Sequence, residues 1–226
     1  MKSEINTIAK KLVTAFDKGK LIAPIPSKFS KNTKNANALR LACESLIKSP
    51  IIGFKAGGTG KAMLKKLGEK EPFYAAIFKK NLLKSNRSIK INKYTLGIEL
   101  EVFYQVKKEF FSISKKITEK NISSVVSHMG SCIEIVGYRQ KKKGLTCLGD
   151  LISDFGANVK FIVGKKQKFK KLKFNNLATS LYNKKSGQVA NGNTKAVYDS
   201  PLKSLVWLLS KIKKDKINLH KDFLVF

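Results

Sequence analysis

Leu96-Gly97-Ile98-Glu99-Leu100-Glu101-Val102-Phe103-Tyr104 sets two acids two residues apart inside a run of apolar, β-branched and aromatic residues. That composition predicts a strand. Side chains alternate faces along a strand, so Glu99, Glu101 and Phe103 share one face and Ile98, Leu100 and Val102 the other. A second apolar run, Cys132-Ile133-Glu134-Ile135-Val136, carries one more acid at its centre. The chain has only 15 acids against 46 bases, yet three of the acids stand in strand-like hydrophobic stretches. If they converge on a buried face they cannot all stay ionised without a cation among them, and oxygen-only ligands suit a hard ion such as Mg²⁺ or Mn²⁺. Taken alone, the spacing favours the commoner arrangement, a strand whose polar face is simply wet. A metal site needs further support.

Around this stretch, 226 residues with 42% hydrophobic content are enough for a normal core. No run is long and apolar enough to cross a bilayer, and the N-terminus carries Glu4 and an amphipathic pattern in place of a signal-peptide core. A cytoplasmic protein with no membrane association is therefore expected. Cys43, Cys132 and Cys147 are odd in number and widely spaced, which argues against a disulfide framework or a zinc site. His128 and His220 are too isolated for a histidine metal site or a nucleophile–His pair. The net charge of +31 raises the question of nucleic acid. Only Arg40, Arg87 and Arg139 are arginines, however, and the other 43 basic residues are lysines spread over nearly every segment. Base-reading and phosphate-clamping surfaces lean on arginine forks, so nucleic-acid contact beyond non-specific charge is not expected. The densest run, Lys165 to Lys173, reads as a solvated loop entering a strand.

In chain order, Ile5, Ile8, Leu12 and Phe16 predict an amphipathic helix closed at Gly19. A second helix is expected from about Lys34 to Lys48, capped by Asn32 or Thr33, with Ala36, Leu39, Cys43, Leu46 and Ile47 inward. Ile51 to Lys55 reads as a strand running into Gly57-Gly58-Thr59-Gly60, followed by a helix from Lys61 to Leu67 closed by Gly68. The glycine loop invites a phosphate-binding reading, but neither nucleotide-binding fingerprint fits it. What survives is Lys55, a cation at the end of an apolar strand beside backbone freed by glycine, able to hold or deprotonate an acidic substrate. Strands are then expected at Ile89–Asn92, around Glu99 and Glu101, and around Glu134, with a helical stretch from Thr118 to about Met129 between the last two. A helical turn at 148–152, a strand at 161–163, a hairpin loop at 184–187, a helix starting at Asp199 or Ser200 with Pro201, and a final strand at 223–226 follow. The chain reads as one domain over 1–226, mainly helical to about residue 70 and mainly β from 71 onward.

Taken in order, these segments resemble the 2-keto-4-pentenoate hydratase branch of the fumarylacetoacetate hydrolase superfamily. The resemblance is carried by Gly53-Phe54-Lys55-Ala56-Gly57, Leu67-Gly68 through Pro72 to Phe78, Glu99-Leu100-Glu101, Ile133 to Arg139, and Ser200-Pro201-Leu202 through Trp207-Leu208. It implies an α+β fold with a mixed, rolled β-sheet core and flanking helices. It also implies a divalent metal, Mg²⁺ or Mn²⁺, on Glu99, Glu101 and Glu134, catalytic roles for Lys55 and Asp154, and a homo-oligomer acting on a small anionic 2-oxo acid. The activity implied is a hydro-lyase reaction, water adding to an unsaturated 2-oxo acid such as 2-hydroxypenta-2,4-dienoate in aromatic catabolism. A 4-oxalocrotonate-type decarboxylase and a catalytically degenerate member are the alternatives. The chain departs from the family pattern in having Gly97 before Glu-x-Glu where arginine is common, Phe155 and Val159 after the pocket Asp, and no sequence past Phe226, where the family continues into strands that line the site.

Overall fold

The computed structural model describes residues 2–86, 88–141, 146–170, 174–198 and 200–226. In chain order these form α1 (Lys2–Lys18), α2 (Ser27–Ser30), α3 (Thr33–Leu46), β1 (Ile51–Gly57), α4 (Lys61–Leu67), β2 (Phe73–Phe78), β3 (Leu82–Leu83), β4 (Thr95–Val106), β5 (Val126–Gly137), α5 (Leu148–Ser153), β6 (Asn158–Val163), β7 (Gln167–Lys168), β8 (Ala178–Asn183), β9 (Gly187–Asn193), α6 (Pro201–Lys214) and β10 (Phe223–Val225). The expected caps hold. Asn32 accepts from the Asn35 amide, Ser200 accepts from the Lys203 amide ahead of Pro201, and Gly19 and Gly68 take the left-handed conformation that ends a helix. Asp199, the other candidate cap, and Lys171–Lys173, the end of the lysine run, lie outside the described residues.

Among the described residues the main sheet runs β2-β1-β10-β4-β5-β6-β3, with β7 beside β5, and it mixes parallel and antiparallel neighbours. β10 lies in the middle, parallel to β1 and antiparallel to β4. Gly53 makes this close approach possible, because a Cβ there would meet the Leu224 carbonyl oxygen at 2.1 Å. One face of the sheet packs under the helices, with Phe54, Tyr74, Tyr104, Val106, Ile135, Phe223 and Val225 against Leu12, Phe16, Leu39, Leu205, Leu208 and Leu209. The sheet curls so that its other face closes on a smaller apolar cluster of Ile77, Phe103, Cys132, Phe161, Leu224 and Phe226. No described helix is long and apolar enough to cross a membrane.

Three expectations are corrected. The stretch from Thr118 to Met129 holds only a short 3₁₀ turn at Ile122–Ser124 before β5 begins at Val126, because Val125 and Val126 are buried in the core as part of the approach to a strand. Residues 89–92 form no strand, and the chain turns through Asn92–Thr95 into β4. Leu46 points outward at the end of α3, 38% exposed, while Ile47 just past the helix is buried.

Candidate metal centre

The antiparallel register of β4 and β5 sets Glu99 directly opposite Glu134 and Glu101 opposite Cys132. Directly opposed side chains share a face, so two strands alone bring the three acids together. Each offers a carboxylate oxygen, and these oxygens lie within 4.8 Å of one another. Glu134 is wholly buried, Glu101 partly, and Glu99 is exposed, so the group has a closed inner end and an open outer one.

Lys55 completes it from β1, three strand positions from β5 in the sheet order. In a flat sheet that separation is about 14 Å. Yet the Lys55 Nζ donates to both oxygens of Glu134, at 2.8 and 3.0 Å, and only the curl of the sheet makes this reach possible. Lys55 is itself buried, with Ala56 and Phe54 beside it turned to the opposite face. The sequence marked Lys55 as a lone cation near glycines; its acid partner, across three strands, was not visible there.

The electrostatics of the group are those of too many acids. Burial is the main force raising the Glu134 carboxyl, the attraction of Lys55 partly offsets it, Glu101 and Glu99 add repulsion, and the result is a group pushed up to about 8. Burial likewise leads at Glu101, opposed by Lys55 and reinforced by Glu99, and pushes it up to about 7. At Lys55 burial favours the neutral amine, but the pull of Glu134, then Glu101 and Glu99, outweighs it and raises the pKa, so the side chain is an ammonium. The Cys132 thiol is driven up by burial and then by Glu101 and Glu134, which keeps it protonated and out of any ligand set. Three oxygen donors with a net excess of negative charge fit a hard divalent cation, and nothing soft competes beside them.

Asp154 does not join them. Its carboxylate accepts from the backbone amide of Arg139 at 2.6 Å and from the Arg139 Nε. The rest of the guanidinium donates to the carbonyls of Asp154 and Asn158, at 2.6 and 2.9 Å, and stacks within 4.8–5.3 Å of the rings of Phe16, Tyr94 and Phe155. Arg139 and Asp154 are both fully buried. The pair ties the end of β5 to the segment that follows α5 and to α1.

No protein-family model and no curated protein matches the sequence. Solved structures do match the fold. A 4-oxalocrotonate decarboxylase from Pseudomonas putida G7 in complex with calcium and acetate superposes with a TM-score of 0.83 at 15% identity, over 100% of this chain and 86% of that one. The same enzyme in complex with magnesium and adipate gives 0.80 at 14% identity, over 100% and 87%. A protein from Yersinia pestis CO92 described as of the fumarylacetoacetate hydrolase family gives 0.50 at 13%, over 80% and 82%. At identities of this size the likeness is one of architecture, and it gives the chain the curled mixed sheet and flanking helices of the fumarylacetoacetate hydrolase-like fold.

Proposed function

We propose that this chain is a divalent-metal-dependent lyase acting on a small, unsaturated 2-oxo acid. The observation that carries the reading is the cluster itself: three glutamates and one lysine gathered on the inner face of a curled sheet, in a fold shared with a decarboxylase whose structures contain calcium or magnesium. Glu99, Glu101 and Glu134 would hold the ion. Once bound, it supplies a Lewis acid for the negative charge that develops on the keto oxygen of a 2-oxo acid.

The protein's own groups do the rest. Glu134, fixed by both Lys55 hydrogen bonds, sets the depth of the site. Lys55 brings a positive side chain into the cluster and, as an ammonium, can attract the substrate carboxylate and hand a proton to a carbon or oxygen beside it. Phe103, Phe161 and Phe226 fill the interior of the curl and keep bulk water from the inner end. Asp154, saturated by Arg139, supports the frame in this reading and moves no proton.

Two fates of the activated substrate remain in the same chemistry: water adds to the double bond, or a carboxylate leaves as CO₂. The architectural likeness to 4-oxalocrotonate decarboxylase favours the second; hydration is what the resemblance in the sequence implies. Both are tested by offering a panel of unsaturated 2-oxo acids with Mg²⁺ or Mn²⁺ and with chelator, following ultraviolet absorbance and released CO₂ together. Absorbance loss without CO₂ assigns a hydratase, loss with stoichiometric CO₂ a decarboxylase. A chelator-insensitive reaction, or none with any substrate, removes the lyase reading.

A further inference from the structure

β10 joins β1 to β4 only as far as Val225, which stands opposite Phe54 on one side and Tyr104 on the other. Past that point β1 continues to Gly57 and β4 reaches back to Thr95, with no described strand between them. The space holds a cavity of about 110 Å³. Residues from both faces of β4 border it, Leu100 and Val102 from one and Glu101 from the other. Glu101 is also one of the three carboxylates of the cluster, so the cavity adjoins the metal centre. Val197, Leu205 and Phe226 add to its apolar wall.

The lining decides what fits. The chain has 46 lysines and arginines, yet none of those described lines this cavity. A carboxylate placed there would be stripped of water with no cation to meet it, beside the like charge of Glu101. Tyr104 also lines the cavity, is 3% exposed, and has a buried hydroxyl with no hydrogen-bond partner among the described residues. The Thr194 hydroxyl, on the same wall, is by contrast engaged by the Phe174 carbonyl and the Leu177 amide. An unpaired buried hydroxyl in apolar surroundings favours a ligand that brings one neutral oxygen. A cavity of about 150 Å³ holds benzene, so this one takes about three to five heavy atoms. Resting on the lyase reading above, we propose that the cavity receives the tail of the 2-oxo acid whose head lies at the metal centre, and that this tail is a short, uncharged chain with a carbonyl or hydroxyl oxygen that meets Tyr104. A second carboxylate is excluded, and Tyr104 is a specificity-determining residue.

The test is calorimetry on the Mg²⁺-saturated full chain with 2-oxo acids that have no conjugated double bond. 2,5-Dioxohexanoate and 2-oxoglutarate carry tails of the same shape that differ in charge, and 2-oxohexanoate lacks the tail oxygen. 2,5-Dioxohexanoate should bind about tenfold or more tighter than 2-oxoglutarate, and tighter than 2-oxohexanoate. Tyr104→Phe should bring it to within about twofold of 2-oxohexanoate, with pyruvate binding unchanged and no loss of melting temperature. Affinity for 2-oxoglutarate equal to or above that for 2,5-dioxohexanoate overturns the proposal. So does a wild-type chain with no preference over 2-oxohexanoate, or a preference that survives Tyr104→Phe. Pyruvate, which has the head and no tail, separates this failure from that of the metal centre. Its binding shows the centre intact, whereas its failure to bind removes the lyase reading and this one with it.

Discussion

Lys55–Glu134 and Arg139–Asp154 are both ion pairs with 5% side-chain exposure or less, and their surroundings differ in what is left over. Around Asp154 the pair itself is matched: both carboxylate oxygens accept from Arg139, the guanidinium also donates to two backbone carbonyls, and three aromatic rings close the sides. Around Glu134 two further carboxylates crowd a single lysine, and their repulsion adds to the burial that pushes Glu101 and Glu134 up to about 7 and 8. A matched pair holds a fold together, while an unmatched one is poised to take a cation. Burial alone does not tell the two apart; the count of partners does.

The largest effect should come from breaking the matched pair. Asp154→Ala leaves the Arg139 charge buried and alone and should cost about 3–5 kcal/mol in urea unfolding, enough to leave little folded protein. A mild stability loss with a large activity loss would instead place Asp154 in the chemistry. Next comes the unmatched group. Mn²⁺ at a hundredfold excess over its dissociation constant should stabilise the wild-type protein by about 2.7 kcal/mol, and Glu101→Gln or Glu134→Gln should abolish the rise in melting temperature. Glu101→Gln without metal should be at least as stable as the wild type at pH 8, since it relieves repulsion, whereas Glu134→Gln should be less stable because it strips the buried Lys55 of its ion-pair partner. A shift that survives Glu101→Gln would break the contrast between the pairs.

Lys55→Met should lower turnover about a hundredfold or more, with a smaller loss of stability than Asp154→Ala, because Glu134 can take up a proton in place of its partner. An equal activity loss from Lys168→Ala would reduce the effect to global charge. The last effect is in pH. Glu101 and Glu134 hold protons in the folded metal-free protein up to about pH 7 and 8, well above the ordinary carboxylate range that applies unfolded. The folded state thus binds more protons in that window, and its stability should fall as pH rises from 5 to 8. With metal present the acids are ionised, so the metal-induced shift should widen over the same range, which paired melting curves will show.

The elements with strong local signals were legible: the period of α1, the Ser200-Pro201 start of α6, the apolar strands around Glu99 and Glu134 and the hairpin at 184–187 all appear where the residues put them. Spacing alone favoured a wet strand face over convergence of the three glutamates; the family resemblance is what grouped them, and the register of β4 and β5 brings them together. Less legible was everything set by distant partners. Asp154 looked like a pocket acid, and only the fold reveals Arg139 beside it. Residues 118–129 contain apolar residues at helical spacing, yet tertiary burial of Val125 and Val126 drew the segment into β5.

The position of β10 also sets the order of events on the ribosome. β1 and β2, and β4 with β5 and β6, can each pair as soon as they emerge, but the strand that joins them arrives only at residues 223–225. Until then β1 and β4 present bare edges, the open surfaces most prone to wrong pairing. Closure by so distant a segment makes the final step slow, and Lys55 cannot meet Glu134 before it. The Lys55–Glu134 contact is therefore completed only after residues 223–225 have been synthesised.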